Sequence, residues 1–340
     1  MQNSMRVFFV SDTKDFDDRM LYADLRKRTK GFVRLGHDVQ VFSYNAAFRL
    51  ISPFKSQRWS ARLYKRRVDD LLVRQIGYYH PDVVHVGFAK HLDGETVVRM
   101  REAASQAFFL GLDVDLWPDL HRNRIEAAKE LDVVLTTYDG LGTSAYRQAG
   151  VRCVFLPNLC DPDIEHRYDV AKQWKSDIIF TGRVRHKNYP TEEWRAELVS
   201  RIAQRANCAV YGSCGRPFLG GLEYFYAISG ARIGLSINAA NDIRLYHSDR
   251  FTHYLACGTL VLAKRVPDSE LLFEDGKHLR YFDTREEFVE LVDWYLAHEE
   301  ERARIADAGM RRAHAEFHCE KIAQYMLDVV KTGTYRAPWT

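Results

Sequence analysis

The run Ile178-Ile179-Phe180-Thr181-Gly182-Arg183 marks where a second sheet begins. Four apolar or β-branched residues follow one another without a charge and stop at a glycine. That is the composition of a buried parallel strand closing into a tight strand-to-helix turn. Upstream of it, periodicity fails. The stretch from Leu156-Pro157-Asn158 to Lys175 holds two prolines and the acids Asp161, Asp163, Glu165 and Asp169, with Asp177 just beyond. Such a break reads as an interdomain linker. We therefore expect a first domain over 1–157, a linker over 158–176 and a second domain over 177–317. Residues 318–340 would form a C-terminal helix and tail packing back on the first domain.

Working outward, apolar runs alternate with amphipathic stretches on both sides of this break. Before it, strands are expected at Arg6–Ser11, Asp38–Ser43, Asp82–Val86, Phe108–Leu112, Asp132–Thr137 and Arg152–Leu156, with helical patterns such as Arg19–Leu35, Arg58–Tyr79, Glu95–Ala104 and Arg122–Leu131 between them. After it come Ala209–Tyr211, Ile233–Ile237, Thr259–Ala263 and Leu279–Phe282, then helices at Arg285–Ala297, Glu299–Phe317 and Glu320–Lys331. Short buried strands separated by helices are βαβ units, and βαβ units make parallel sheets. The expected fold class is α/β, two Rossmann-like parallel-sheet domains facing across a cleft, with ligands at the carboxyl ends of the strands.

The composition suits a folded protein of this kind. Of 340 residues, 46% are hydrophobic and 28% charged, which excludes a disordered or low-complexity chain. With 49 Lys+Arg against 46 Asp+Glu, the formal net charge of +3 offers nothing for a dedicated nucleic-acid binder. The balance is uneven along the chain. Residues 1–74 carry 16 basic and 8 acidic side chains, whereas residues 75–170 carry 9 and 15. No apolar run approaches the ~20 residues of a membrane span. The opening Val7-Phe8-Phe9-Val10 is too short for a signal-peptide core, and the six cysteines form no Cys-x-x-Cys pair. A cytoplasmic protein with reduced thiols is the expectation.

Three segments offer chemistry. Phe180-Thr181-Gly182-Arg183-x-x-x-Lys187 puts a glycine and two cations at a strand end, suited to phosphate: Arg183 as a bidentate fork, Lys187 as a point charge. Its ordinary reading is a basic solvated loop. His247-Ser248-Asp249-Arg250-Phe251-Thr252-His253-Tyr254-Leu255-Ala256-Cys257-Gly258 begins with a good helix cap and ends at a glycine. A helix start at a strand-end cleft favours anions, although a structural cap alone explains the pattern. Val266-Pro267-Asp268-Ser269-Glu270 through Gly276 is a carboxylate-rich loop, a composition common at helix starts for dipole reasons.

Taken in order, these segments resemble the donor half of a GT-B glycosyltransferase, specifically the spore-maturation-protein-like (CgeB-like) group related to family-4 and family-1 enzymes. The resemblance runs from Ile178 to Leu327. It includes Tyr211-Gly212, Tyr224-x-Tyr226-Ala227 through Asn238, Ala256-Cys257-Gly258, Glu270 with Phe273-Glu274-Asp275-Gly276, and Tyr295-Leu296-Ala297-His298. The first domain fits more loosely, through Gly36-His37-Asp38-Val39, Pro81-Asp82-Val83-Val84 and Leu131-Asp132-Val133-Val134. The resemblance implies a glycosyltransferase moving a sugar from a nucleotide diphosphate donor, with UDP-sugar expected, to a glycan, lipid-linked or protein acceptor. No cofactor and no metal are implied. Its donor site would comprise Gly182, Arg183, Lys187, Tyr211, Gly212, Ser248, Asp249, Arg250, His253 and Glu270. Family-4 relatives place a ribose-binding Glu one helical turn before Ala-Cys-Gly. His253 stands there in this chain, a departure that bears on nucleotide choice more than on fold. The same shape also serves sugar-nucleotide epimerases and inactive binding proteins, and both stand as alternatives.

An inverting transfer needs a base on the acceptor side. Candidates at strand ends of the first domain are Asp113, expected to emerge from Phe108–Leu112, and Asp12 after the first strand; His85 and Asp115 rank behind them. GT-B relatives tend to carry a His or Asp at the tip that Asp113 would occupy. An equally plain reading has Asp113 or Asp115 capping the turn before Trp117-Pro118. Separately, Arg49–Arg74 holds eight basic and two acidic residues with interleaved Phe54, Trp59 and Tyr64. Arg62, Lys65, Arg66 and Arg67 on it suit an anionic acceptor or an anionic membrane, which would place the protein peripherally at the inner face. Two motifs are set aside. Gly140-x-Gly142-x-x-Ala145 follows the fifth strand rather than the first, and His314-x-Glu316-x-His318 lacks the His-Glu-x-x-His spacing of zinc enzymes.

Overall fold

Two parallel sheets carry the chain. The computed structural model describes residues 4–12, 24–54, 56–88, 90–114, 122–184 and 193–340. They divide into two units at Leu156/Pro157. The first contains Arg28–Leu156, the initial strand and Ala323–Tyr335; the second contains Pro157–Ile322, Arg336–Thr340 and the short piece of chain ending at Lys27.

In the first unit, β1 (Arg6–Ser11), β2 (Asp38–Ser43), β3 (Val83–Gly87), β4 (Phe108–Asp113), β5 (Val133–Thr136) and β6 (Cys153–Phe155) form one sheet in the order β2-β1-β3-β4-β5-β6. All its pairings are parallel, with Val7 opposite both Val39 and Val83. Such strands need apolar side chains on both faces. Val7, Phe8, Phe9 and Val10 are accordingly all fully buried. Between the strands run α1 (Asp24–Arg34), α2 (Tyr44–Ile51), α3 (Gln57–Tyr79), α4 (Gly94–Ala103), α5 (Arg122–Lys129) and α6 (Ser144–Gln148). Asp93 caps α4 by accepting from the Thr96 amide, and Ser43 caps α2 from Ala46. Neither α2 nor α6 was expected from periodicity, since each is too short to show it.

The second sheet comprises β7 (Ser176–Thr181), β8 (Cys208–Tyr211), β9 (Ala231–Ser236), β10 (Leu260–Lys264) and β11 (Arg280–Phe282), in the order β11-β10-β9-β7-β8. Its helices are α7 (Glu193–Gln204), α8 (Gly221–Ser229), α9 (Asp249–Ala256), α10 (Arg285–Ala297), α11 (Glu299–Glu316) and α12 (Cys319–Thr332), which continues into the first unit's share of the chain. The strand order reverses between β7 and β9, the switch point where ligands bind in open α/β sheets.

The stretch expected as a linker is a packed part of the second unit. Leu159, Cys160, Asp161 and Glu165 are buried there, and the Cys160 amide donates to Phe317 O at 2.8 Å. Periodicity fails along it because turns and polar side chains, not a helix or strand face, hold it in place.

Candidate functional site

At the switch point, β7 ends in Thr181 and the chain turns at Gly182, whose φ of +126° suits glycine alone. A Cβ there would lie 3.3 Å from Arg250 Nη1, so the glycine makes room for that guanidinium. Arg250 comes from the first turn of α9. It packs over the Phe180 ring at 4.7 Å, and its Nε donates to Ser248 Oγ at 2.9 Å. Its Nη1 is buried and has no hydrogen-bond partner. A buried, unpaired guanidinium nitrogen is costly unless something anionic completes it.

Ser248 precedes α9 in extended conformation, but its hydroxyl serves Arg250 rather than a helix amide. Its own amide is held by Asn238 Oδ1 at 3.0 Å. The side chain thus leaves the helix start uncapped, and Asp249 stands exposed beside it. Arg183 is exposed, its guanidinium 5.8 Å from the Phe218 ring centre. Tyr211 ends β8, with its carbonyl accepting from Gly182 N–H at 2.8 Å. Gly212 has φ +81°, and any Cβ on it would collide with Phe218. Gly182, Arg183, Tyr211, Gly212, Ser248, Asp249 and Arg250 therefore gather at the ends of β7 and β8 and the start of α9. Lys187 lies outside the described residues.

His253 and Glu270 do not join them. His253 is 3% exposed. Its Nδ1 lies 3.0 Å from Tyr224 Oη, and its Nε2 is 3.2 Å from both Lys27 Nζ and Glu165 Oε1. Burial first, and the charges of Lys27 and Arg250 second, hold its pKa well below the usual value. A neutral ring that accepts from Lys27 at Nε2 carries its hydrogen on Nδ1 and donates it to Tyr224. Burial pushes the Lys27 ammonium down, but Glu165 at 3.0 Å, with Asp249 and Asp24, outweighs it and the pKa rises. Tyr224 and Tyr254 lie 3.4 and 3.0 Å from Thr181 Oγ1, so the network reaches the end of β7 from within. Glu270 sits at the end of β10, exposed and ion-paired with Arg265. Arg265 also binds Asp283 and Asp275 at 3.2 and 3.3 Å, and this charge web explains the carboxylate-rich loop.

On the first sheet, Asp113 does not emerge as expected. It ends β4, but it is 2% exposed. Its carboxylate accepts from Arg124 and the Tyr146 hydroxyl, each at 2.6 Å, and from the Tyr138 hydroxyl at 3.2 Å. Apolar strand residues carry it into the interior, where only such donors make a carboxylate tolerable. Asp12 follows β1 half-buried, its carbonyl accepting from Asn45 and its carboxylate from the Lys90 amide at 3.4 Å. His85 lies inside β3, buried and stacked on Phe9 at 4.4 Å. Asp115 lies outside the described residues. On α3, Arg62, Arg66 and Arg67 are exposed, but Lys65 turns inward to Asp69 and Asp93 at 2.6 and 2.9 Å. Among the described residues no cluster of His, Cys, Asp or Glu is placed to hold a metal, and no helix is long and apolar enough to cross a membrane.

Sequence reasoning did not name Phe180, Phe218, Asn238 or His247 among the site residues, although Phe180, Asn238 and His247 lie in stretches it quoted. Phe218 carries no motif signal. His247 is buried, stacked on Phe251 at 4.0 Å, with both ring nitrogens unpartnered. Burial lowers its pKa to about 3.

Residues 185–328 match the family model described as glycosyl transferase-like. No curated protein matches the chain. Among solved structures, a glycosyltransferase from Rickettsia africae ESF-5 is 11% identical with a TM-score of 0.64, covering 97% of this chain and 98% of that one. HepE of Anabaena in complex with UDP-glucose is 11% identical at TM-score 0.60, covering 96% and 100%. Sucrose-phosphate synthase from Thermosynechococcus elongatus is 13% identical at TM-score 0.63, covering 96% and 98%. Identities this low speak to the fold, and the family match speaks to the activity: the chain is a glycosyltransferase with the GT-B fold.

Proposed function

We propose that the chain transfers a sugar from a UDP-sugar to a glycan, lipid-linked or protein acceptor, within the CgeB-like group of this fold. The observation that carries the donor reading is the buried, unpartnered Nη1 of Arg250 beside Gly182 at the switch point. A diphosphate there completes the guanidinium's hydrogen bonds. As the sugar departs, charge grows on the diphosphate. Arg250, Arg183 and the uncapped start of α9 oppose that charge, and pre-placed charge of this kind is often the largest catalytic term. With cations in that role, the reaction runs without a bound metal and without a cofactor. HepE, which shares the fold, binds UDP-glucose and UDP, and this supports uridine as the nucleoside of the donor.

Asp12 is the better of the two candidate bases. Asp113 already accepts from one arginine and two tyrosines, which occupies its carboxylate and makes it a brace for β4. The exposed Arg62, Arg66 and Arg67, with Trp59 and Leu63 also exposed on α3, support peripheral contact with an anionic membrane at its inner face.

Incubation with a panel of UDP-sugars and glycan or lipid extracts tests the reading. UDP release with incorporation of sugar into acceptor is expected, and Asp12→Asn should bind UDP normally yet turn over at least about a hundredfold more slowly. Isomerised donor without UDP release would establish an epimerase instead; binding without any turnover would establish an inactive receptor.

A further inference from the structure

The end of β7 is held on one side by a strand and on the other by a side chain. Toward β8, the Gly182 amide donates to Tyr211 O at 2.8 Å. Toward β9, pairing runs only as far as Ile179 opposite Gly234. Thr181 lies two residues further on and is 5% exposed, so its amide needs an acceptor that no strand supplies there. Tyr254 Oη supplies it at 2.8 Å. The same oxygen lies 3.0 Å from Thr181 Oγ1.

Tyr254 is fully buried on α9. Its ring passes β9 at Gly234, where any Cβ would collide with it. Glycine inside a strand weakens it and often marks the close approach of another group; here that group is the tyrosine ring. Arg250 stands four residues before Tyr254, one turn earlier on the same face of the helix. Its Nη1 is 3.3 Å from the place a Gly182 Cβ would take. Two successive turns of α9 thus meet Gly182 and the residue before it. A second tether reaches Thr181 from α8. Tyr224 Oη lies 3.4 Å from Thr181 Oγ1 and is itself held by His253 Nδ1 at 3.0 Å.

We propose that Tyr254 is a positioning residue for the donor: by accepting the Thr181 amide, its hydroxyl fixes the Gly182 turn against Arg250, so that the two meet the diphosphate together. This role rests on the donor reading given above and needs no contact between Tyr254 and the ligand. Arg250 and Gly182 belong to different elements. Binding a diphosphate between them costs less when their spacing is set beforehand.

Calorimetric titration of the full chain with UDP and with pyrophosphate tests it, at a temperature where circular dichroism shows each variant folded. Tyr254→Phe keeps the ring against Gly234 and removes only the hydroxyl. It should weaken both probes by about tenfold, since both use the diphosphate contacts. Arg250→Ala lacks the group that Tyr254 positions. In that background Tyr254→Phe should weaken UDP by less than about twofold more, a coupling that a tyrosine serving stability alone would not show. Equal affinity of wild type and Tyr254→Phe for UDP overturns the role and leaves the donor reading standing. The full loss repeated in the Arg250→Ala background overturns it too, because Tyr254 then acts without Arg250. So does a loss for UDP with pyrophosphate unaffected, which places the effect at the nucleoside. Wild-type protein that binds neither probe overturns the donor reading and the role with it.

Discussion

Arg250 Nη1 and the two ring nitrogens of His247 are buried without hydrogen-bond partners, with opposite consequences. The unpaired Nη1 of Arg250 marks where an anion belongs. Arg250→Ala should reduce UDP affinity by about 10–100-fold, the 1.5–3 kcal/mol of a charged hydrogen bond. The unliganded protein should stay folded and lose only about 1–2 kcal/mol, the Ser248 hydrogen bond and the packing on Phe180. Calorimetry showing full affinity in a folded Arg250→Ala would detach the residue from the donor. His247 instead surrenders its charge, since burial lowers its pKa from 6.5 to about 3. Its folded value lies below its unfolded one, so the stabilising difference is present above pH 6.5. It is lost as pH falls toward 3, where the unfolded state alone takes up the proton. Relative to His247→Asn, the wild type should lose about 1.4 kcal/mol per pH unit below 6.5, read from urea midpoints. A constant difference between the two across pH 6.5 to 4.5 would mean that the ring titrates alike in both states.

At the scale of the element, α3 separates two kinds of lysine and arginine that a charge count merges. Arg62, Arg66 and Arg67 face solvent beside Trp59 and Leu63, with the Arg62 guanidinium 5.7 Å from the Trp59 ring. Lys65 lies between them in sequence but bridges Asp69 of its own helix to Asp93, the cap of α4. Reversing Arg62, Arg66 and Arg67 to Glu should abolish co-sedimentation with anionic vesicles at low salt and leave stability nearly intact. Lys65→Met should do the reverse, costing about 1–2 kcal/mol of stability because Asp69 stays buried without its cation. Vesicle binding that survives the triple reversal would leave α3 an ordinary solvated helix. The helical periodicity of residues 58–79 was legible in the sequence, but the inward turn of Lys65 was not. It depends on Asp93, 28 positions away, arriving alongside.

At the scale of the whole molecule, a late segment of the chain returns to the first unit. Ala323–Tyr335 belong to the first unit, where Tyr325, Met326, Val329 and Tyr335 are buried and Tyr335 Oη donates to Phe155 O at 2.6 Å. Met326→Ala should destabilise that unit by about 2–5 kcal/mol, with hydrogen exchange accelerated in β4–β6 and unchanged in β7–β9. Faster exchange confined to the second sheet would contradict the assignment. The alternation of apolar runs was enough by itself to determine two parallel α/β sheets, since a strand buried on both faces must read as an unbroken apolar stretch. Gly182 was legible because a glycine at a strand end lets the backbone approach a ligand, whereas Gly212 was legible only through the family resemblance. Side-chain burial was not legible, because it depends on elements far apart in sequence. Only the tertiary structure put Arg124, Tyr138 and Tyr146 around Asp113, closed Lys27 and Glu165 onto His253, and left Arg250 without a partner for one nitrogen. Local spacing determines which face of an element a residue lies on. Whether that face meets a donor, an acceptor or nothing is decided by what folds against it.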